Sequence, residues 1–285
     1  MAVTLQINGE YASGTPEVVY YDALVDEGTL FIHDYSNRGT LVNFNFQDGS
    51  IARDLARQIS LPIGIDNSTE LVAASGTTPE LTAGRGINIR SFVNSSNTTG
   101  PHGFDLGGDM CEYLYNNQPE TLFIAWVRFM GNIEEDPVNN TGPIIQSAHS
   151  SDPQAIYLAN NQIGNPILHL AGVSAGSYPV GTIGNLAQVA VHFKGAGTTM
   201  TRFMDGENIG ESVNDATGFP DGYDFLNIGG RTQARPNTNI YRVLVADLTL
   251  SPLTAEEIVK KDWEYCNGTG QYSGRPTRRP FIDVV

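Results

Sequence analysis

Cysteine and lysine are both scarce in this chain. Of its 285 residues two are cysteine, and lysine occurs only at Lys194, Lys260 and Lys261. A single pair, Cys111 and Cys266, cannot build a disulfide framework and has no metal-binding spacing. We expect buried, unpaired thiols, with one disulfide as the alternative in a secreted protein.

Positive charge is scarce as well. The chain has 16 lysines and arginines against 31 acidic residues, which gives a formal net charge of −15. Such a surface repels phosphates and anionic lipids, so nucleic acid and membranes are excluded as general partners. Solubility alone explains the charge, although cations and basic surfaces would also be attracted.

Long apolar segments are missing. No stretch approaches the roughly 20 residues that a membrane-spanning helix needs. Residues 1–4 lead straight into polar sequence, without the basic and apolar segments of a secretion signal. The sequence therefore predicts neither a signal peptide nor a transmembrane segment.

Motifs that carry known chemistry are also absent, among them Gly-x-Ser-x-Gly, the phosphate-binding loops and His-Glu-x-x-His. Retaining glycosidases need two carboxylates about 5 Å apart, and on a strand two-residue spacing supplies them. Asp205 and Glu207 have that spacing but flank the turn residue Gly206, and residues 134–136 form an acidic loop segment. We therefore expect no catalytic residues and no enzyme.

A lyase-type set of polar strand residues can still be assembled, although no motif links its members. It consists of Tyr157, His169, His192, Arg202 and Tyr241. A histidine within an apolar strand is more often structural than a base. A lyase or glycosidase is thus the weakest of the functional hypotheses.

The clearest structural pattern lies in residues 239–265. Residues 240–250 alternate with period two and are rich in β-branched and aromatic side chains, which predicts a strand with a buried face. Thr254 and Glu257 then match a capping box, and Leu253 and Ile258 match a hydrophobic staple. We expect a strand that ends at residues 251–252, followed by one short helix.

This strand with its Ser-Pro-Leu-Thr-Ala-Glu-Glu-Ile helix start resembles the end of laminin-G-like (concanavalin A-like) jelly-roll domains. Other segments match strands of that family in the same order, namely residues 121–129, 144–147, 155–158, 187–193, 200–210 and 225–231. The resemblance implies an all-β fold, a two-sheet antiparallel jelly-roll sandwich with one short C-terminal helix and extended terminal arms. Trp126 lies mid-strand among aliphatic residues, so we expect it in the core and not on a sugar-binding platform.

The pattern divides the chain into three parts. Residues 1–19 are an N-terminal arm or an added edge strand, and residues 20–266 are the sandwich domain, with a loop-rich insertion at about residues 50–85. Residues 267–285 form an extended tail that proline and glycine keep from being helical.

The tail combines arginines with a final apolar run, which is unusual in an acidic chain. A docking arm that adds to a neighbouring subunit is one interpretation, and a disordered terminus is the other. The predicted docking residues are Arg275, Arg278, Arg279, Phe281, Ile282 and Val284.

No cofactor follows with certainty. Related lectin domains often hold calcium with loop carboxylates, and the acidic residues in Gly-rich loops here are Asp105, Asp109, Asp221 and Asp224. Solvated acidic loops are the simpler reading. Calcium is therefore left open, without an assigned metal ligand.

The resemblance implies a non-enzymatic structural or adhesion protein of a phage virion, such as a head decoration protein or a tail or fibre component. Its partners would be other virion proteins or copies of itself, bound through the terminal arms, and host or environmental glycans. A carbohydrate-binding module of an exported, extracellular protein is the main alternative, because a fold does not fix a function.

Overall fold

The computed structural model describes residues 22–37, 39–41, 46–93, 102–130, 142–147, 155–160, 165–179, 184–222, 226–230 and 237–272. The helices are α1 (Arg57–Ser60), α2 (Asp109–Asn117) and α3 (Ala255–Asn267), and single 3-10 turns occur at Leu61–Ile63, Ile89–Ser91 and Gly270–Tyr272. The strands are β1 (Thr29–Asp34), β2 (Ile51–Ala52), β3 (Thr69–Val72), β4 (Ile87–Asn88), β5 (His102–Asp105), β6 (Thr121–Phe129), β7 (Gly142–Ser147), β8 (Ile156–Asn160), β9 (Pro166–Leu170), β10 (Val173–Ser177), β11 (Leu186–Phe193), β12 (Thr199–Met204), β13 (Glu207–Asp215), β14 (Leu226–Gly230) and β15 (Thr238–Asp247).

The strands pair into two antiparallel sheets. The seven-stranded sheet has the order β1-β15-β6-β11-β12-β13, with β4 also pairing to β15. The eight-stranded sheet has the order β10-β9-β8-β7-β14-β5-β3-β2. This arrangement confirms the predicted all-β, two-sheet antiparallel sandwich.

The main core lies between the sheets and follows from strand alternation. In the eight-stranded sheet, Phe104, Ile228, Ile145, Leu158 and Leu168 are successive cross-strand partners, and all are buried in one cluster. Alternate residues of β6 and β11 enter the same cluster from the seven-stranded sheet. Burial of each large apolar side chain contributes about 1.5–3 kcal/mol, so this layer is the principal source of stability.

The other face of the seven-stranded sheet is covered by α3. Trp126, 1% exposed, stacks on Trp263 of the helix with ring centroids 5.2 Å apart and an interplanar angle of 6°. Ile258 and Val259 are buried against the same sheet face. The prediction that Trp126 is a core residue is therefore confirmed.

The start of α3 also agrees with the sequence. The Thr254 hydroxyl accepts a hydrogen bond from the Glu257 amide, and the Glu257 carboxylate accepts one from the Thr254 amide at 2.9 Å. The helix ends at Asn267 and is capped by Gly268, whose φ of 64° is the left-handed conformation that favours glycine. Both ends are fixed by local chemistry, which is why the sequence predicts this helix well.

A buried network of charged side chains connects α3 to the seven-stranded sheet. Fully buried Arg242 donates to Asp22 at 2.6 Å, to Asp34 at 3.2 Å and to Asp262 of α3 at 2.7 Å. Asp262 also accepts from the Trp126 indole N–H at 2.6 Å. Burial alone would lower the pKa of Arg242, but the surrounding carboxylates raise it well above its ordinary value.

Strand β15 departs from simple alternation at one point. Its register to β6 shifts between Ile240 and Arg242, so Ile240 joins the inter-sheet core with Val243, while Tyr241 lies on the helix side. The strand ends at Asp247, earlier than predicted, because residues 248–250 turn. A bulge of this kind adds twist and is invisible to a period-two pattern.

The described residues form two helices besides the predicted C-terminal helix α3. Helix α2 places Met110, Cys111 and Leu114 in the inter-sheet core, and within residues 50–85 the chain also forms β2, α1 and β3. Both cysteines are buried and are not joined in a disulfide, as expected. No described helix is long and apolar enough to span a membrane.

Candidate functional site

The outer face of the eight-stranded sheet carries polar side chains at the positions that alternate with its core residues. Leu226 and Ile228 are buried inward, so Asn227 between them points to the outer face, and the same alternation places a polar residue on that face of each neighbouring strand. We call these residues the polar row, which comprises Asp105, Asn227, Gln146, Tyr157 and His169.

The polar row is continuous across five strands. Asn227 pairs with Asp105 on one side and with Gln146 on the other. Gln146 pairs with Tyr157, and Tyr157 pairs with His169. With neighbouring strands about 4.8 Å apart, the row extends over about 19 Å, the scale of a short oligosaccharide and larger than a single sugar ring.

Asn227 at the centre of the row has an unusual environment. It is 1% exposed, yet neither its Oδ1 nor its Nδ2 has a hydrogen-bond partner. A buried polar group without a partner costs about 1–3 kcal/mol, and native proteins keep few of them. The carboxamide is therefore available to a ligand that displaces whatever shields it.

Aromatic rings occupy one end of the row. The rings of Tyr157 and His169 meet edge to face, with centroids 4.9 Å apart and an interplanar angle of 68°. Both residues are half-buried, so part of each ring faces solvent. A partly exposed ring next to hydrogen-bonding groups suits a ligand that has both an apolar face and hydroxyls.

An acidic group occupies the other end. The Asp105 carboxylate accepts a hydrogen bond from the Gly107 amide at 3.0 Å, which orients it after β5. On the adjacent strand β3, Glu70 is exposed, and Val72 is 49% exposed. None of the five side chains in the polar row is lysine or arginine.

No helix packs on this face in the part of the chain that the structure describes. The buried residues of α3 pack on the seven-stranded sheet, and those of α2 pack into the inter-sheet core. Helix α1 contacts β1 of the seven-stranded sheet. Helix α3 thus covers one sandwich face, whereas no described helix packs on the face with the polar row.

The structure separates the residues of the predicted lyase-type set. Tyr157 and His169 meet in the polar row, whereas His192 and Tyr241 lie on the helix side of the seven-stranded sheet. Burial lowers the pKa of His192, whose Nε2 is 2.7 Å from the Glu120 carboxylate. Arg202 of β12 lies next to Gly176 of the edge strand β10, and its side chain is not a member of the row.

Sequence reasoning missed Asp105, Gln146 and Asn227 as a group. Asn227 was visible as the polar residue between two apolar strand residues, Leu226 and Ile228. Which of them are neighbours depends on strand order and register, and these are set by contacts far apart in sequence.

The calcium candidates do not form a cluster. Among the described residues, no group of three or more histidine, cysteine or acidic side chains is arranged to hold a metal ion. Asp105 belongs to the polar row, Asp109 begins α2, and the Asp221 carboxylate accepts from the adjacent Gly222 amide. Asp224 lies outside the described residues.

Two other groups of predicted residues can be placed only in part. Asp205 accepts from the Gln188 amide at 3.0 Å, in the turn that packs on Trp263, and burial raises its pKa. The acidic segment 134–136 and the docking candidates lie outside the described residues, the latter being Arg275, Arg278, Arg279, Phe281, Ile282 and Val284.

Comparison with known proteins supports the fold. No protein family model matches the chain. No curated protein matches it either. Among solved structures, Trypanosoma rangeli sialidase in complex with sialic acid matches with a TM-score of 0.52 and 14% identity, over 87% of this chain and 35% of that chain. The same sialidase with 2,3-difluorosialic acid gives a TM-score of 0.50, 12% identity, and coverage of 91% and 36%. The binding domain of Paraclostridial Mosquitocidal Protein 1 gives 0.49 and 12% identity, over 85% and 53%.

These matches correct one prediction. We expected no enzyme, but the solved structures that share this fold include sialidases, which are enzymes. The chain spans about a third of the sialidases' length, at 35% and 36%. At 12–14% identity the likeness is one of fold. It overturns the prediction that the protein is not an enzyme, but it does not show that this chain has an enzymatic activity.

Proposed function

We propose that the protein is a carbohydrate-binding sandwich that holds a glycan along the polar row of the eight-stranded sheet. The observation that carries this proposal is the buried Asn227 carboxamide, which has no partner at the centre of the row. Sugars supply what the row lacks, since each ring presents several hydroxyls that both donate and accept.

Three further features support glycan binding. The row is extended along one line, its Tyr157 and His169 rings can pack on a pyranose face, and no described helix covers it. Sialic acid is the sugar bound in one sialidase of the same fold. That ligand belongs to the other protein, and for this chain it supports only the class of carbohydrates.

A glycan array tests the proposal. Wild-type protein is expected to bind a defined set of glycans, and Tyr157→Ala is expected to weaken that binding by about tenfold through lost ring contact. Tyr115→Ala is the matched control, because Tyr115 is an exposed tyrosine on α2, away from the row. Equal binding by wild type and Tyr157→Ala would place the glycan elsewhere.

Cleavage of the bound glycan is a second candidate function. Asp105 and His169 are four strand spacings apart, about 19 Å, which is too far for a shared acid–base pair on one bond. Tyr157 and His169 are in contact, so these two residues would act as the general acid and base in such a reaction. Reducing-end and unsaturated-uronate assays on each bound glycan, with His169→Ala as the comparison, test this activity.

The biological setting that we propose is a phage virion, where the protein would serve as a decoration, tail or fibre component. This proposal rests on the resemblance to laminin-G-like domains of virion proteins. An extracellular carbohydrate-binding module is the alternative setting. Genes for capsid and tail proteins beside this one would support the virion, and polysaccharide-utilisation genes would support the alternative.

A further inference from the structure

We infer that Asp221-Gly222 is a site of isoaspartate formation, a covalent change of the backbone that the folded protein favours at this pair over three others of the same kind. The inference goes beyond the proposed function, and its test involves no glycan.

The reaction needs only the chain and water. The Gly222 nitrogen forms a bond to Cγ of Asp221, and its proton leaves with the hydroxyl of the protonated carboxyl group as water, which closes a succinimide ring. A second water then opens the ring at either carbonyl carbon. One opening restores aspartate, and the other gives isoaspartate, in which the backbone runs through Cβ. One water is released and one is consumed, so the mass is unchanged and no oxidant or cofactor takes part.

The first observation is the contact between the two reacting groups. The Gly222 amide donates to Oδ1 of the Asp221 carboxylate at 2.7 Å, so the nitrogen lies beside the carboxyl group that it attacks. Ring closure is faster when the reacting groups are already held together. Gly222 has a φ of 83°, a left-handed backbone that glycine adopts without strain, and its lack of a Cβ lets the carboxyl group approach.

The second observation is that the pair is exposed between two anchored positions of the chain that joins β13 to β14. Before the pair, the Phe219 amide donates to the Gln118 side chain at 2.8 Å. After it, the Leu226 amide donates to the Gly107 carbonyl at 2.8 Å. Water can therefore reach the succinimide, while the chain on either side stays hydrogen-bonded to its neighbours.

The third observation is the contrast with Asp48-Gly49, a pair that is also exposed. The Gly49 amide donates to the Leu71 carbonyl at 2.9 Å, and the Asp48 carboxylate accepts from the Ala73 amide at 2.8 Å. Both reacting groups are thus turned toward other partners. Two hydrogen bonds have to break before the ring can close, which slows the reaction.

Two further described pairs are held in the same way. In Asp205-Gly206 the glycine amide donates to the Gln188 side chain, and the carboxylate accepts from the Gln188 amide. In Asn267-Gly268 the glycine amide donates to carbonyls of the last turn of α3, and the Asn267 carboxamide donates to the Trp263 carbonyl at 2.9 Å. A fifth pair, Asn8-Gly9, lies outside the described residues.

Peptide mapping of aged protein tests the inference. Full-length protein is kept folded at neutral pH and physiological temperature for several weeks and is digested at intervals. Electron-transfer fragmentation of each peptide then distinguishes isoaspartate from aspartate. Isoaspartate should accumulate at residue 221 several-fold faster than at residues 48, 205 or 267. Equal rates at residues 48 and 221, or a faster rate at residue 267, would overturn the inference.

The same ageing in guanidinium chloride separates the effect of the fold from that of the sequence. Asparagine is intrinsically the more reactive residue, because ammonia leaves a carboxamide more readily at neutral pH than water leaves a carboxyl group. In the unfolded chain residue 267 should therefore be modified fastest, and residues 48, 205 and 221 should react at similar rates. A lead of residue 221 over residue 48 that persists in the unfolded chain would show that the sequence and not the fold selects the site.

Two variants give a matched pair. Asp221→Glu keeps the charge but would have to close a larger, less favourable ring, so isoaspartate labelling of the folded protein by an isoaspartyl methyltransferase should fall to a small fraction of the wild-type signal. Asp48→Glu makes the same change at the other exposed pair and should leave the signal unchanged. A wild-type signal in Asp221→Glu would place the modification elsewhere and overturn the inference.

Discussion

Replacing His33 with phenylalanine is expected to reduce the loss of unfolding free energy that the protein undergoes as the pH is lowered. His33 is fully buried in β1, with its ring centroid 4.5 Å from that of Phe31, 5.7 Å from Tyr35 and 6.2 Å from Phe104. Burial lowers the pKa of His33 to about 3, against an ordinary value of 6.5. The histidine is therefore neutral in the folded protein over a pH range in which the unfolded chain binds a proton.

The sign and size of the effect follow from linkage. Between pH 6.5 and about 3 the unfolded state binds more protons, so the free energy of unfolding falls as the pH is lowered through that window. At about 1.4 kcal/mol per pKa unit, the complete loss is about 5 kcal/mol. About 2.5 kcal/mol of it is lost between pH 7 and pH 4.5.

Urea unfolding at pH 7 and pH 4.5, followed by the fluorescence of Trp126 and Trp263, measures this difference. Wild type should lose about 2.5 kcal/mol more than His33→Phe between the two conditions. Phe31→Leu is the control, since it disturbs the same cluster without removing a titratable group and should lower stability equally at both pH values. An identical pH dependence in wild type and His33→Phe would refute the reasoning.

Three further predictions concern other parts of the fold. Burial raises the pKa of Asp54 to about 6 from 3.8, so ionisation costs stability as the pH rises through that window, and from pH 4 to pH 7 Asp54→Asn should gain about 2.4 kcal/mol over wild type in urea unfolding; parallel profiles would contradict this. Arg242→Met leaves three buried carboxylates without their cation and should lower the free energy of unfolding by about 3–5 kcal/mol, whereas a loss below about 1 kcal/mol would show that the network is dispensable. Removal of residues 273–285 should convert an oligomer to monomer in light scattering if the tail docks on a neighbouring subunit, and an unchanged mass would contradict the docking prediction.

The sequence predicted most reliably where the controlling interactions are local. The capping box at Thr254 and Glu257 and the run of apolar residues around Trp126 needed no knowledge of strand order. Helix α2 was not predicted, because it is stabilised by contacts between elements that are distant in sequence. Its Met110 and Leu114 side chains pack into the inter-sheet core. The same is true of the Arg242 network, which connects residues 22, 34 and 262.

The polar row shows this limit most clearly. Tyr157 and His169 were identified as polar strand residues, but the sequence grouped them with His192 and Tyr241, which lie on the opposite sheet. Register decides which polar residues become neighbours, and a shift of one residue would turn Asn227 into the core. The fold class could thus be read from the chain, while the composition of the site could not.

Hydrogen–deuterium exchange with and without a glycan identified on the array tests the central claim most directly. If the outer face of the eight-stranded sheet holds the glycan, added ligand should slow exchange in β7, β8 and β14, with residues 226–230 protected most. Exchange in β6 and β11 should be unchanged. Protection confined to the seven-stranded sheet, or none in β14 at saturating glycan, would contradict the assignment of the site to the polar row.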